Sequence, residues 1–94
     1  MFVVCVTIEV EPDAMAKFLP IMQEQAHNSL TLEAECHQFD VSCAVQGLDE
    51  VFLYEVYSNA ATFDAHLETP HFQEFDATVA SLIRSKTIAT YTRL

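Results

Sequence analysis

The 94 residues carry 14 acidic against 4 basic side chains, a formal charge of −10, and 51% of them are hydrophobic. That length predicts one domain over residues 1–94 with one core, and so acidic a chain, without clustered Lys and Arg, excludes nucleic acid and anionic membrane as partners. The apolar content exceeds what one small sheet and its helices can bury, which predicts a homodimer.

Phe2 to Val10 alternates in part, with Phe2, Val4, Val6, Ile8 and Val10 on one face and Val3, Cys5, Thr7 and Glu9 on the other. A period of two reads as a strand whose fully apolar face meets helices and whose mixed face meets another subunit. Glu11-Pro12-Asp13 ends it, with Asp13 as the expected cap of the next helix. From Ala14 to about Glu33, Met15, Phe18, Met22, Gln25 and Ser29 form a stripe at steps of three or four, so one helical face is core. Pro20 inside this pattern predicts a kink or local unwinding, because it removes the bond to the carbonyl of Ala16. Gln25 and Ser29 put polar groups on the stripe, either fraying toward solvent or turned into a pocket.

His37 to Val45 alternates as a second strand, and Gln46 to Glu50, with the only glycine in the chain, makes a turn into Val51–Tyr57. Ser58-Asn59 then caps a short helix, and Thr69-Pro70 starts another, a hydroxyl cap followed by proline in the first turn. The second helical region is expected to run to about Ser85, and Thr87–Thr92 alternates again as a fourth strand. The order βαββαβ, with right-handed crossovers, gives a ferredoxin-like α+β fold with a four-stranded antiparallel sheet and helices on one face.

Three cysteines, Cys5, Cys36 and Cys43, lack a CxxC spacing, and no signal-like charged and apolar stretch opens the chain, so a reducing, cytoplasmic setting is expected. The cysteines read as small buried hydrophobes. No apolar run approaches the roughly 20 residues that span a bilayer.

Tyr54-Glu55-Val56-Tyr57, then Ala65-His66, then Thr69-Pro70-His71-Phe72, together with Cys36 to Val41 upstream, resemble the antibiotic biosynthesis monooxygenase superfamily. The resemblance covers almost the whole chain and implies a dimeric α+β barrel made by stacking two sheets. It includes quinol and polyketide oxygenases that need no cofactor, and an isomerase-like enzyme that processes phospho-autoinducer-2. It also implies a pocket histidine at His66, and at the position of Gln25 an amide that is often Asn in the oxygenases.

A pocket between sheet and helices would suit a small organic substrate. His66, Tyr54 and Gln25 are the candidate catalytic groups: a histidine as general base near neutral pH, with Tyr54 or Gln25 donating to a developing oxyanion. Phe39, His71, Phe72, Met22 and Ser29 are the candidate substrate contacts, and His27 and His37 read as structural or exposed. No metal is expected, since HxH, HxxxH and HExxH spacings are missing and Pro70 separates His66 from His71. Haem-degrading relatives use a histidine and a conspicuous tryptophan; here there is no Trp, and Asp76 stands where that ligand would fall. One glycine cannot form a phosphate-binding loop, so no flavin or nicotinamide cofactor is expected.

The resemblance implies a cofactor-independent monooxygenase acting on a phenol or hydroquinone. The alternatives are an isomerase of a small phosphorylated carbonyl compound, which would have only Lys17, Arg84, Lys86 and Arg93 for its phosphate, and a non-catalytic ligand-binding dimer.

Overall fold

In a computed structural model, which describes residues 1–46 and 49–94, the chain forms strand β1 (Phe2–Val10), helix α1 (Met15–Leu32) and strands β2 (Cys36–Cys43) and β3 (Glu50–Tyr57). Helices α2 (Ala60–Leu67) and α3 (Pro70–Val79), a 3₁₀ turn (Ala80–Leu82) and strand β4 (Ile83–Thr92) follow. The strands make one antiparallel sheet in the order β2-β3-β1-β4, the expected ferredoxin-like α+β arrangement.

Alternation in β1 assigns the two faces of the sheet. Val4, Val6, Ile8 and Val10 join Val51, Leu53 and Tyr57 of β3 in one buried cluster with Phe18 and Met22 of α1. Burying a side chain of the size of Phe18 or Met22 contributes about 1.5–3 kcal/mol, which ties α1 to this face. Val3, Cys5 and Thr7 point the other way; they pair with Val56, Tyr54 and Phe52, and directly paired residues share a face. Phe52 and Tyr91 on that outer face remain exposed at 40% and 57%.

Several local expectations give way to geometry. Asp13 is not a cap: it takes a left-handed backbone (φ 66°), Ala14 occupies the cap position, and no side chain bonds the first turn. Helix α1 runs on through Pro20, which is exposed, so the carbonyl released at Ala16 faces solvent. A shift in register between Cys36 and Gln38 bulges β2 at His37. Cys36 and Phe39 therefore both point to the core, while His37 turns outward, its Nε2 2.6 Å from Ser58 Oγ. Strand β4 begins at Ile83 and not Thr87, because the helix ends in a 3₁₀ turn and Ile83 pairs with Val10. Gly47 and Leu48 of the expected turn lie outside the described residues.

Candidate active site

The site is built around the bend between α2 and α3, where both helix starts are capped from their own sequence. Asn59 accepts from Thr62 N at 2.9 Å, and Thr62 Oγ1 accepts from Asn59 N at 3.2 Å, a reciprocal capping box. Thr69 Oγ1 accepts from Phe72 N at 3.2 Å and donates to the carbonyl of His66 at 2.8 Å, so one hydroxyl joins the last turn of α2 to the first turn of α3. With Pro70 fixing the entry to α3, His66 and His71 are held 6.0 Å apart between ring centroids.

Glu33, at the end of α1, sits between them. His66 Nδ1 donates to Glu33 Oε2 at 2.7 Å. His71 Nε2 lies 2.8 Å from the same oxygen, a close contact without hydrogen-bond alignment, and His71 Nδ1 lies 3.2 Å from Gln25 Oε1. His66 is 3% exposed, among the rings of Phe39, Tyr57, Phe63 and Phe72 at centroid distances of 5.0–6.3 Å. Burial holds its imidazole below the usual histidine range, against the opposing pull of Glu33, so the ring is neutral at pH 7 with Nδ1 protonated and Nε2 left as an acceptor.

His66 and Gln25 line a cleft of about 520 Å³, counting its open mouth, between the helices and the sheet. Its walls are mostly apolar: Met22, Phe39 and Phe72 are there as expected, with Val6, Leu53 and Phe63. Asp76 stands at the exposed rim. Three expected contributors are elsewhere. Tyr54 lies on the outer face of the sheet, opposite Cys5 and Asp40, because Val51, Leu53, Glu55 and Tyr57 take the inward positions of β3. Ser29 is buried but turns back on its own helix, donating to the carbonyl of Gln25 at 2.9 Å. Gln25 does not fray into solvent; it is 3% exposed, and its Nε2 has no partner among the described residues. His71 faces a second cleft, shared with Gln25, between α1 and α3.

Sequence reasoning passed over Glu33 and Glu55. Glu55 was recoverable: in the alternation Val51-Leu53-Glu55-Tyr57 it is a charge on an inward position. Nothing near Glu33 marks it, because its partners are 33 and 38 residues away. Glu55 is 3% exposed in the pocket wall and accepts from Tyr57 Oη at 2.5 Å. Burial raises its pKa from 4.5 to about 7, with the Tyr57 bond and the Lys86 charge acting against that rise and Glu33 adding to it. Burial and the neighbouring carboxylates likewise push the Cys36 thiol to about 11 and the Tyr57 hydroxyl far above its usual range, so neither ionises at neutral pH.

The sign of the Glu55 effect is definite. A raised folded-state pKa means the folded chain binds more protons than the unfolded one between about pH 4.5 and 7. Stability is therefore full below about 4.5 and falls as pH rises to about 7, by on the order of 3 kcal/mol. His66, with its lowered pKa, acts oppositely and loses stability as pH falls through 6.5. Glu55→Gln, which keeps the acceptor for Tyr57, should raise Tm by several degrees more at pH 8 than at pH 5.5. An equal change at both values, by calorimetry, would mean that Glu55 is not held protonated.

Comparison with known proteins agrees with this geometry. The family model described as antibiotic biosynthesis monooxygenase matches residues 1–78. Among solved structures, a Nitrosomonas europaea protein described as a candidate antibiotic biosynthesis monooxygenase is 25% identical, with a TM-score of 0.93 over 100% of this chain and 99% of that one. A Caulobacter crescentus protein of similar description is 17% identical, with a TM-score of 0.94 over 99% and 89% of the two chains, and bears on the fold alone. A Mycobacterium tuberculosis protein, 22% identical, aligns at 0.89 over 99% and 94%. No curated protein matches. The motif-bearing strand, helix α2 and the start of α3 thus fall within the span of the matched model, with Ile83, Lys86 and Ile88 of the pocket wall beyond it, and the chain belongs to the antibiotic biosynthesis monooxygenase family.

Proposed function

We propose that the pocket binds a small electron-rich phenol or hydroquinone and oxygenates it with O₂, using no resident cofactor. One observation carries this reading: a buried, neutral imidazole whose Nδ1 proton is committed to Glu33, in a mostly apolar cleft, so that Nε2 is the base. Loss of the phenolic proton to Nε2 leaves an anion that passes one electron to O₂. The organic radical and superoxide then combine to form the C–O bond. The imidazolium returns its proton to the peroxide, and O–O cleavage releases water. Hydroquinone plus O₂ thus gives hydroxyquinone plus water, with the substrate supplying all four electrons.

Gln25 fits the same scheme. Its Oε1 faces His71 Nδ1, and its Nε2, buried without a partner, is a donor available to the substrate oxygen as charge develops there. Of the four cations only Lys86 reaches the cleft, beside Glu55, which gives a phosphorylated substrate little support.

The proposal includes a homodimer through the outer sheet face. Phe52 and Tyr91 are exposed there beside the half-buried Cys5 and Tyr54, an apolar patch that a second copy would cover, and a stable pair would bury at least about 1,000 Å². Among the described residues no helix is long and apolar enough to cross a membrane.

With added chelator and no flavin or metal, a series of substituted hydroquinones should produce saturable O₂ uptake above autoxidation. Rates equal to autoxidation across the series would move the chain to the ligand-binding reading.

A further inference from the structure

We infer that Glu33, His66 and His71 form a binding site for one divalent transition-metal ion, and that occupancy of this site switches the His66 base off. The three donors come from the end of α1, the last turn of α2 and the first turn of α3, and their ligand atoms lie within 4.8 Å of one another. The spacing of the histidines in sequence does not announce this; the bend locked by Thr69 creates it.

The argument begins with proton counting at His71. Its Nδ1 is 3.2 Å from Gln25 Oε1 and its Nε2 is 2.8 Å from Glu33 Oε2, and both oxygens are acceptors. A ring with one N–H can donate to only one of them, and the other contact needs either a second proton on the ring or a cation. The Nε2 contact is also out of line for a hydrogen bond, leaving a buried nitrogen without a partner. A cation among Glu33 Oε2, His66 Nδ1 and His71 Nε2 resolves the conflict. His71 Nδ1–H then donates to Gln25 Oε1 and aims the Nε2 lone pair at the ion, which is how metal-bound histidines are held by an outer carbonyl.

Two imidazoles and one carboxylate are donors suited to zinc-like ions, with bonds of about 2.0–2.2 Å and the remaining position left to water. At those lengths the donors stand roughly 3 to 3.4 Å apart, so the contacts at 2.7 and 2.8 Å open by a few tenths of an ångström while the two histidine nitrogens, within 4.8 Å of each other, draw together on binding. A cleft lined by Leu32, Glu33, Thr69, Pro70, His71 and Glu74 gives an ion a path from solvent, and the net charge of −10 favours its approach. Once His66 Nδ1 ligates the ion, the proton of the neutral ring must sit on Nε2, which becomes a donor. This last consequence rests on the function proposed above; binding of the ion does not.

The test titrates the metal-free full chain with Co²⁺, without substrate, and then displaces Co²⁺ with Zn²⁺. One Co²⁺ per chain with a visible ligand-field spectrum is expected, weakened at least about tenfold in Glu33→Gln and in His71→Ala and unchanged in His27→Ala and His37→Ala. Glu33→Gln preserves side-chain volume and decides the matter if His71→Ala does not fold. Absence of saturable binding, or binding indifferent to Glu33→Gln, overturns the site. Zn²⁺ should abolish O₂ uptake; uptake that persists at full occupancy overturns the switch. Binding by a protein whose metal-free form has no turnover supports the site and overturns the monooxygenase reading instead.

Discussion

Replacing His66 by Gln should lower turnover of an activated hydroquinone by about 10² to 10⁴, the usual contribution of general acid–base catalysis, while the domain stays folded. Gln is the informative substitution because the ring is buried and bonded: Ala would leave a void between Phe39, Tyr57, Phe63 and Phe72 and strip Glu33 of a partner, at a cost of about 2–4 kcal/mol. Gln can still donate to Glu33 yet has no basic nitrogen. His71→Ala, which removes a group facing the second cleft, should have a smaller effect. Steady-state O₂ uptake together with circular dichroism separates the outcomes. Wild-type turnover in a folded His66→Gln protein would make the histidine structural.

Tyr54→Glu should convert the proposed dimer to monomers, weakening association by about 10³ or more, since a carboxylate facing the Asp40 carboxylate would be buried without a partner in the sheet-to-sheet contact. Tyr54 sits on the inner strand β3, opposite Cys5 and Asp40 and flanked by Phe52, so the groups nearest the new carboxylate are apolar or acidic. Sedimentation velocity at micromolar concentration reads the result directly. A wild-type monomer, or a variant that still pairs, would remove the outer face as the interface. Because the side chain points away from the cleft, the variant also tests its assignment as an oxyanion donor.

The fold was legible because its signals are short-range. Alternation in Phe2–Val10, the cap residues Asn59 and Thr69, and Pro70 each specify a local conformation, and the four strands and their order follow from them. The sequence was least informative where a single residue shifts the register. The bulge at His37 turns that residue outward and Cys36 inward against the alternation of the rest of β2, and a 3₁₀ turn brings β4 forward to Ile83, with no glycine or proline to announce either. The site was half legible. His66, Gln25, Phe39, Phe72 and Met22 could be placed from helical and strand periodicity and from the family motif. Glu33 could not, because its role exists only once the ends of three helices meet, and Tyr54 was assigned to the wrong face because the motif names its residues without saying which way β3 is turned.

The most direct measurement is turnover under ¹⁸O₂ by the metal-free protein, followed by mass spectrometry of the product. Transfer of the phenolic proton to His66 and direct reaction of the resulting anion with O₂ predict one labelled atom in the hydroxyquinone, one in water, and loss of labelled product in His66→Gln. Unlabelled quinone formed with hydrogen peroxide, or labelled product formed equally by the variant, would contradict the account.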